Sequence, residues 1–248
     1  MDVLAATVAW LVDPAHWEGP DGVPLRLAEH LAISVPSVLA AALVALPAGA
    51  WTGHTGRGAA VAINLANLGR AVPSYAVLAI VLPISLRWSP DLGLSVIPTF
   101  TAMVLLAIPP ILVASYAGLQ QVDGDLKESS RGMGMSERQV LTRVELPLAS
   151  PVIVGGFRIA LLQVIATATI GAFLAGGGLG RYIIDGIARR DDGMLYSGVL
   201  LVMILAIGTD VGLSQLQKRL TPKGVRVATD PLAGNGAGAT ASSTAGPG

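Results

Sequence analysis

The chain has 248 residues, 52% of them hydrophobic and only 13% charged, with a mean hydropathy of +0.65. A soluble domain usually carries about a quarter charged residues, so the composition points to lipid and excludes an ordinary aqueous globule. The formal net charge is zero and cysteine is absent, which excludes an electrostatic nucleic-acid surface, disulfides, iron–sulfur clusters and thiolate metal sites.

Asp2 stands where a signal peptide would carry positive charge, and the apolar run behind it is short. Residues 1–26 therefore read as a peripheral amphipathic segment rather than a cleaved signal. Each membrane-spanning helix needs roughly 20 apolar residues. Low-charge runs of that kind place five spans at 31–52, 58–86, 94–117, 152–175 and 195–216, which predicts an all-α, polytopic membrane protein with its membrane domain over 27–218. The second run is interrupted only by Arg70 and suits one tilted helix of roughly 43 Å. A hairpin there would need a turn near Gly69 and would leave two segments too short to cross. Residues 219–248 form a tail whose Thr229–Gly248 part is mostly Gly, Ala, Ser and Thr. It cannot bury enough apolar surface to fold and is expected to be disordered.

Orientation follows from Lys and Arg placement. With the N-terminus outside, Arg57, Arg70, Lys127, Arg131, Arg138, Arg143, Lys218, Arg219, Lys223 and Arg226 fall on the cytoplasmic side. Arg26, Arg87, Arg181, Arg189 and Arg190 fall outside, and Arg158 lies within the fourth span. The bias favours N-out, C-in. Prolines sit in or beside several spans, at Pro36, Pro47, Pro73, Pro83, Pro98, Pro109 and Pro110. Each removes a backbone donor, and their density suits helices packed around a gated path.

The segment 120–151, between the third and fourth spans, is too polar for the bilayer and too patterned for a plain loop. Asp125 with Glu128 looks like a capping-box start, and Ser136 with Gln139 repeats the signal. Gly132-Met133-Gly134 between them permits a sharp turn. Two short helices joined by a glycine turn are predicted, with Val140, Leu141 and Val144 on one face of the second and Leu126 and Met133 a heptad apart on the first. Such a small apolar patch suits docking.

The run Glu128-Ser129-Ser130, Gly134 and Val144-x-Leu146-Pro147 resembles the EAA loop of type I ABC importer permeases. That signature is Glu-Ala-Ala, three residues, Gly, nine residues, Ile-x-Leu-Pro, and the spacing agrees throughout. Two serines replace the alanines and a valine the isoleucine. The stretches 18–34, 69–80 and 171–187 are similar to permeases for osmoprotectants, which carry glycine betaine, choline, carnitine and related compounds. The resemblance covers about residues 20–218. It implies the five-helix core of that fold in a bacterial inner membrane and a dimer with a second permease subunit, a like chain or a paralogue. It also implies a separate ATP-binding subunit and an extracytoplasmic substrate-binding protein. Within it, Gly134 would set the turn, Val140, Leu141 and Val144 would fill a groove on the ATPase, and Leu146-Pro147 would start the fourth span. Glu128 is either a capping residue or a partner for a basic group on the ATPase or within the loop. No enzyme activity, cofactor or metal is implied for the chain itself.

Other candidates are local. The glycines at 176–178 and 180 lack the lysine of a phosphate-binding loop, so ATP hydrolysis would belong to another chain. His16, His30 and His54 show no metal-ligand spacing and read as interfacial residues. Arg158 and Asp210, ionisable residues inside the expected spans, are candidates for an ion pair joining the fourth and fifth helices, with independent snorkelling as the alternative. Pro73, Ser74 and Tyr75 are candidate path-lining residues, with ordinary packing as the competing reading. A permease for another small solute, a secondary carrier and an intramembrane enzyme are the other readings. The last two would show inverted repeats, charge relays or paired catalytic groups within the spans, and none is apparent.

Overall fold

In lipid, every backbone polar group must be satisfied within its own segment, so the apolar runs become helices. The computed structural model describes residues 3–58, 60, 63, 64, 67, 74–174 and 176–220, and all regular structure among them is helical. In chain order these are α1 (Val3–Val12), α2 (Val23–Thr55), α3 (Ser74–Trp88), α4 (Pro90–Gly93), α5 (Val96–Gln120), α6 (Gly124–Gly132), α7 (Glu137–Val140), α8 (Leu146–Gly171), α9 (Gly180–Arg189) and α10 (Asp192–Leu220). A π-helical turn, Leu141–Glu145, fuses α7 to α8.

Four described helical stretches are long and apolar enough to cross a membrane: α2, α5, the continuous run Glu137–Leu174, and α10. The expected second span is represented by α3, 15 residues long. Most of its earlier part, including Arg70 and Pro73, lies outside the described residues, as does the expected tail beyond Leu220. Helix α2 is 33 residues long, roughly 50 Å, and so exceeds the hydrocarbon core.

Helices α2, α5 and α8 share one core, built from Val38, Ala41, Ala45, Met103, Ala107, Ile111 and Val164 among others. Small residues let these backbones approach closely, as in membrane bundles generally. A Cβ on Gly156 of α8 would meet the Pro110 carbonyl oxygen at 2.8 Å and run into Ala114 on α5. Some polar side chains inside the bundle bond to their own helix, as Ser37 does to the Ile33 carbonyl and Ser115 to that of Ile111, each at 2.7 Å. Others cross between helices: Gln120 donates to the Gly53 carbonyl at 2.7 Å, and His30 Nε2 lies 3.1 Å from the Ile165 carbonyl.

The N-terminal segment differs from expectation. Helix α1 packs against α10, where Ser197 donates to the Thr7 carbonyl at 3.3 Å. Its Trp10 is buried, stacked on His16 and edge-on to Tyr182. Leu4, Val8 and Val12 are exposed on the other side. The helix is apolar all round rather than amphipathic, because Val3–Val12 contains no charged residue.

Candidate functional site

The segment between α5 and α8 folds as a helical hairpin held against one end of the bundle. Asp123 caps α6, accepting a hydrogen bond from the Asp125 amide at 2.9 Å. The cap thus lies two residues before the expected Asp125, and Glu128 is two residues beyond the position that would complete a capping box, which Leu126 occupies. The second cap is as the spacing predicts: Ser136 and Gln139 form a capping box, with the Ser136 amide donating to Gln139 Oε1 at 2.8 Å. Between them Gly134 turns the chain at φ +83°, a conformation that costs a residue with a Cβ.

Beneath the hairpin lies a charge cluster that the sequence patterns did not single out. The Glu145 carboxylate, in the π turn, is 0% exposed. Its Oε2 lies 2.6 Å from His54 Nδ1, near the end of α2, and its Oε1 lies 3.3 Å from Lys127 Nζ on α6. That lysine also donates to the Leu119 carbonyl at 2.9 Å, at the end of α5. The other ring nitrogen of His54 is 3.2 Å from Glu137 Oε2, and Glu137 takes a two-point contact from Arg131, at 2.8 and 3.0 Å. That hydrogen-bonded carboxylate holds the Arg131 guanidinium pKa above its ordinary value. Two ring nitrogens facing two carboxylates can both donate only when the imidazole is doubly protonated. A wholly buried carboxylate is costly unless paired, so this cluster ties α2, α5, α6 and the root of α8 together.

The expected docking face is divided. Val140 is 0% exposed, and Leu141 and Leu146 pack against the cluster formed by Ala50, Leu119, Ala149 and Ile153. Val140 therefore cannot fill a groove on a partner. The physical reason is the π turn: α7 runs on into the membrane helix, so its apolar stripe continues the packed face of α8. Val144 is half-buried, while Gly134, Glu128 and Pro147 are exposed. The exposed apolar groups are on or beside α6: Met133 at 77% and Leu126 at 44%. Met133 terminates the helix, its amide donating to the Ser129 carbonyl at 3.0 Å.

Arg158 and Asp210 meet in a two-point contact, Nε to Oδ1 and Nη2 to Oδ2, the latter at 2.7 Å. Nearby Gln217 donates to the Pro151 carbonyl at 2.7 Å, joining the same two helices, α8 and α10. Ser74 and Tyr75 open α3, with Tyr75 exposed, and Pro73 lies outside the described residues. Among the described residues, no three His, Cys, Asp or Glu side chains are grouped to hold a metal ion.

A family model for the binding-protein-dependent transport system inner membrane component matches residues 31–223. The choline transport system permease protein OpuBB of Bacillus subtilis is 36% identical over 198 residues, 80% of this chain and 88% of that protein. The carnitine transport permease protein OpuCB of Listeria monocytogenes is 35% identical over 202 residues, 82% and 89% of the two chains. In structure, the chain is similar to a chain of the MetNI methionine ABC transporter in an inward-facing conformation. The TM-score is 0.70 at 21% identity, over 78% of this chain and 94% of that one. That likeness concerns the fold alone.

Proposed function

Because the chain belongs to the family of binding-protein-dependent transport system inner membrane components, we propose that it forms the translocation path of an importer for a small osmoprotectant such as choline, carnitine or glycine betaine. A chain of this family is a multi-pass inner-membrane permease component; ATP hydrolysis belongs to a separate subunit, and a binding protein takes part in transport. The proposed N-terminus is outside and the hairpin and C-terminus are cytoplasmic. A second permease subunit completes the path.

In this reading the α6–α7 hairpin is the lever that a separate ATPase moves. Met133 and Leu126 supply its apolar contact, Glu128 and Arg138 its polar rim, and Gly134 its turn. Leu141, Val144, Leu146 and Pro147 act from behind, as the root that joins the lever to α8. The observation that carries the reading is the enclosed Glu145, which touches His54 of α2 and Lys127 of α6. A push on the hairpin is thereby delivered to several membrane helices at once and shifts the population between inward- and outward-open states.

Co-expression with the cognate ATP-binding subunit tests this. The double substitution Met133→Asp/Leu126→Asp is expected to reduce retained ATPase by about tenfold or more, as loss of an apolar hot spot does, with helical content unchanged. Full retention would move docking to another face, and no retention by the unsubstituted chain would sink the reading. Since the chain has no cysteine, Met133→Cys provides a clean test of orientation. An impermeant maleimide should leave it unlabelled in intact cells and label it once they are opened.

A further inference from the structure

The end of the bundle away from the hairpin contains two chambers with a shared wall. The larger, about 780 Å³, is lined by Asp21, Arg26, Arg181 and Asp185 with the Trp10 and Tyr182 rings. The smaller, about 370 Å³, is sunk between α2, α5 and α8, against Ile33, Thr99, Phe100 and Ala168. Glu29, Gly176 and Gly177 border both. Either volume suits a small molecule, but the linings differ in kind.

Glu29 is the one ionisable residue among the described residues lining the smaller chamber. Its Oε2 accepts from Arg26 at 2.9 Å and from the Gly178 amide at 2.8 Å. Its Oε1 accepts no hydrogen bond from a described residue. Arg26 lines only the larger chamber, so it balances Glu29 from behind the shared wall. A second polar group is also unmatched: Thr99 is 4% exposed, yet its Oγ1 has no hydrogen-bond partner among the described residues. Buried hydroxyls are ordinarily bonded, and one that is not calls for an explanation.

From this charge complementarity and the unmatched hydroxyl, we infer that the smaller chamber is a binding site for a small methylated ammonium compound carrying an oxygen function. An inorganic cation demands several oxygen ligands, which an apolar wall with one carboxylate cannot supply. A methylated ammonium is satisfied by apolar contact and by the face of an aromatic ring, here Phe100, with Glu29 opposing its charge. The Thr99 hydroxyl then donates a hydrogen bond to the solute's oxygen. The inference rests on the permease reading and adds a stopping place on the path, within the chain itself.

The cysteine-free background allows a direct test in the assembled transporter. The variant Ser95→Cys, at the chamber wall, should react with a trimethylammonium-ethyl thiosulfonate, and choline should slow that reaction several-fold while equal sodium chloride does not. Adding Glu29→Gln should raise the half-protecting choline concentration about tenfold, the loss of one charge-assisted contact. Ala15→Cys, in the larger chamber, should be labelled without choline protection. If Ser95→Cys does not assemble, Ala32→Cys reports on the same chamber. Equal rates with and without choline, protection indifferent to Glu29→Gln, or a thiol shielded by lipid and not by choline would each overturn the site. ATPase retention measured on the same preparation separates the two ideas. Retained ATPase without choline protection removes the chamber and leaves the permease reading, whereas lost ATPase strikes that reading and the protection result still stands alone.

Discussion

The two ends of the bundle use charge in opposite ways. At the hairpin end a single carboxylate, Glu145, is wholly enclosed, hydrogen-bonded to His54 through Oε2 and 3.3 Å from the Lys127 ammonium through Oε1. At the far end, Asp21, Arg26, Asp185 and Arg181 line an open chamber, and their pairings are local, within a few residues along the chain. An enclosed pair is insensitive to solvent and strongly penalises any separation, which suits a joint that must transmit motion without slack. Paired groups in contact with water exchange partners at little cost, which suits a surface past which a solute moves.

The comparison breaks first if Glu145 turns out to be dispensable. Glu145→Ala should destabilise the protein by about 3 kcal/mol, since removing the enclosed carboxylate takes from His54 Nδ1 and Lys127 their shared anionic partner. Thermal unfolding in detergent reads that loss, and vesicle assays should show ATPase activity uncoupled from transport. A neutral result would mean that the joint is held by packing alone. Gly134→Ala should cost about 1–2 kcal/mol, because φ +83° is strained for any residue with a Cβ. The hairpin should lose protection from amide exchange while the membrane helices keep theirs.

The smallest effect is expected at the far end. Tyr182 donates its hydroxyl to the Asp21 carbonyl at 2.5 Å, and Tyr182→Phe should cost about 1 kcal/mol. Burial pushes this phenol up to about 12. The folded state therefore holds the proton more tightly than the unfolded chain, for which the ordinary value is about 10. The contribution is fully present below pH 10 and is lost as pH rises through 12. An unfolding series should show that alkaline limb flattened in Tyr182→Phe, with the loss of about 1 kcal/mol constant near neutrality. An identical alkaline limb in both proteins would place its origin elsewhere.

How far the site could be read from sequence depended on the range of the interaction. The Ser136–Gln139 cap and the Gly134 turn are local, and the residues that make them lie within a few positions of each other. Asp123 and Asp125 offer the same side chain to the start of α6, and only the backbone conformation at Asp123 selects between them. A free-standing α7 would expose Val140, whereas its fusion to α8 buries it. The π turn that fuses it to α8 has no sequence pattern that periodicity could detect. His54 and Glu145 are 91 residues apart, so nothing in the local spacing links them.

Composition and hydropathy alone required a helical membrane protein, because lipid offers backbone amides no other partner, and local spacing alone required a hairpin with a glycine turn. Tertiary structure decided how that hairpin packs against the bundle, which carboxylate it encloses, and where Glu29 and Thr99 come together around a chamber. These depend on helix rotation and on contacts between residues distant in the chain, set by the close fit of α2, α5 and α8 rather than by any one segment's preference.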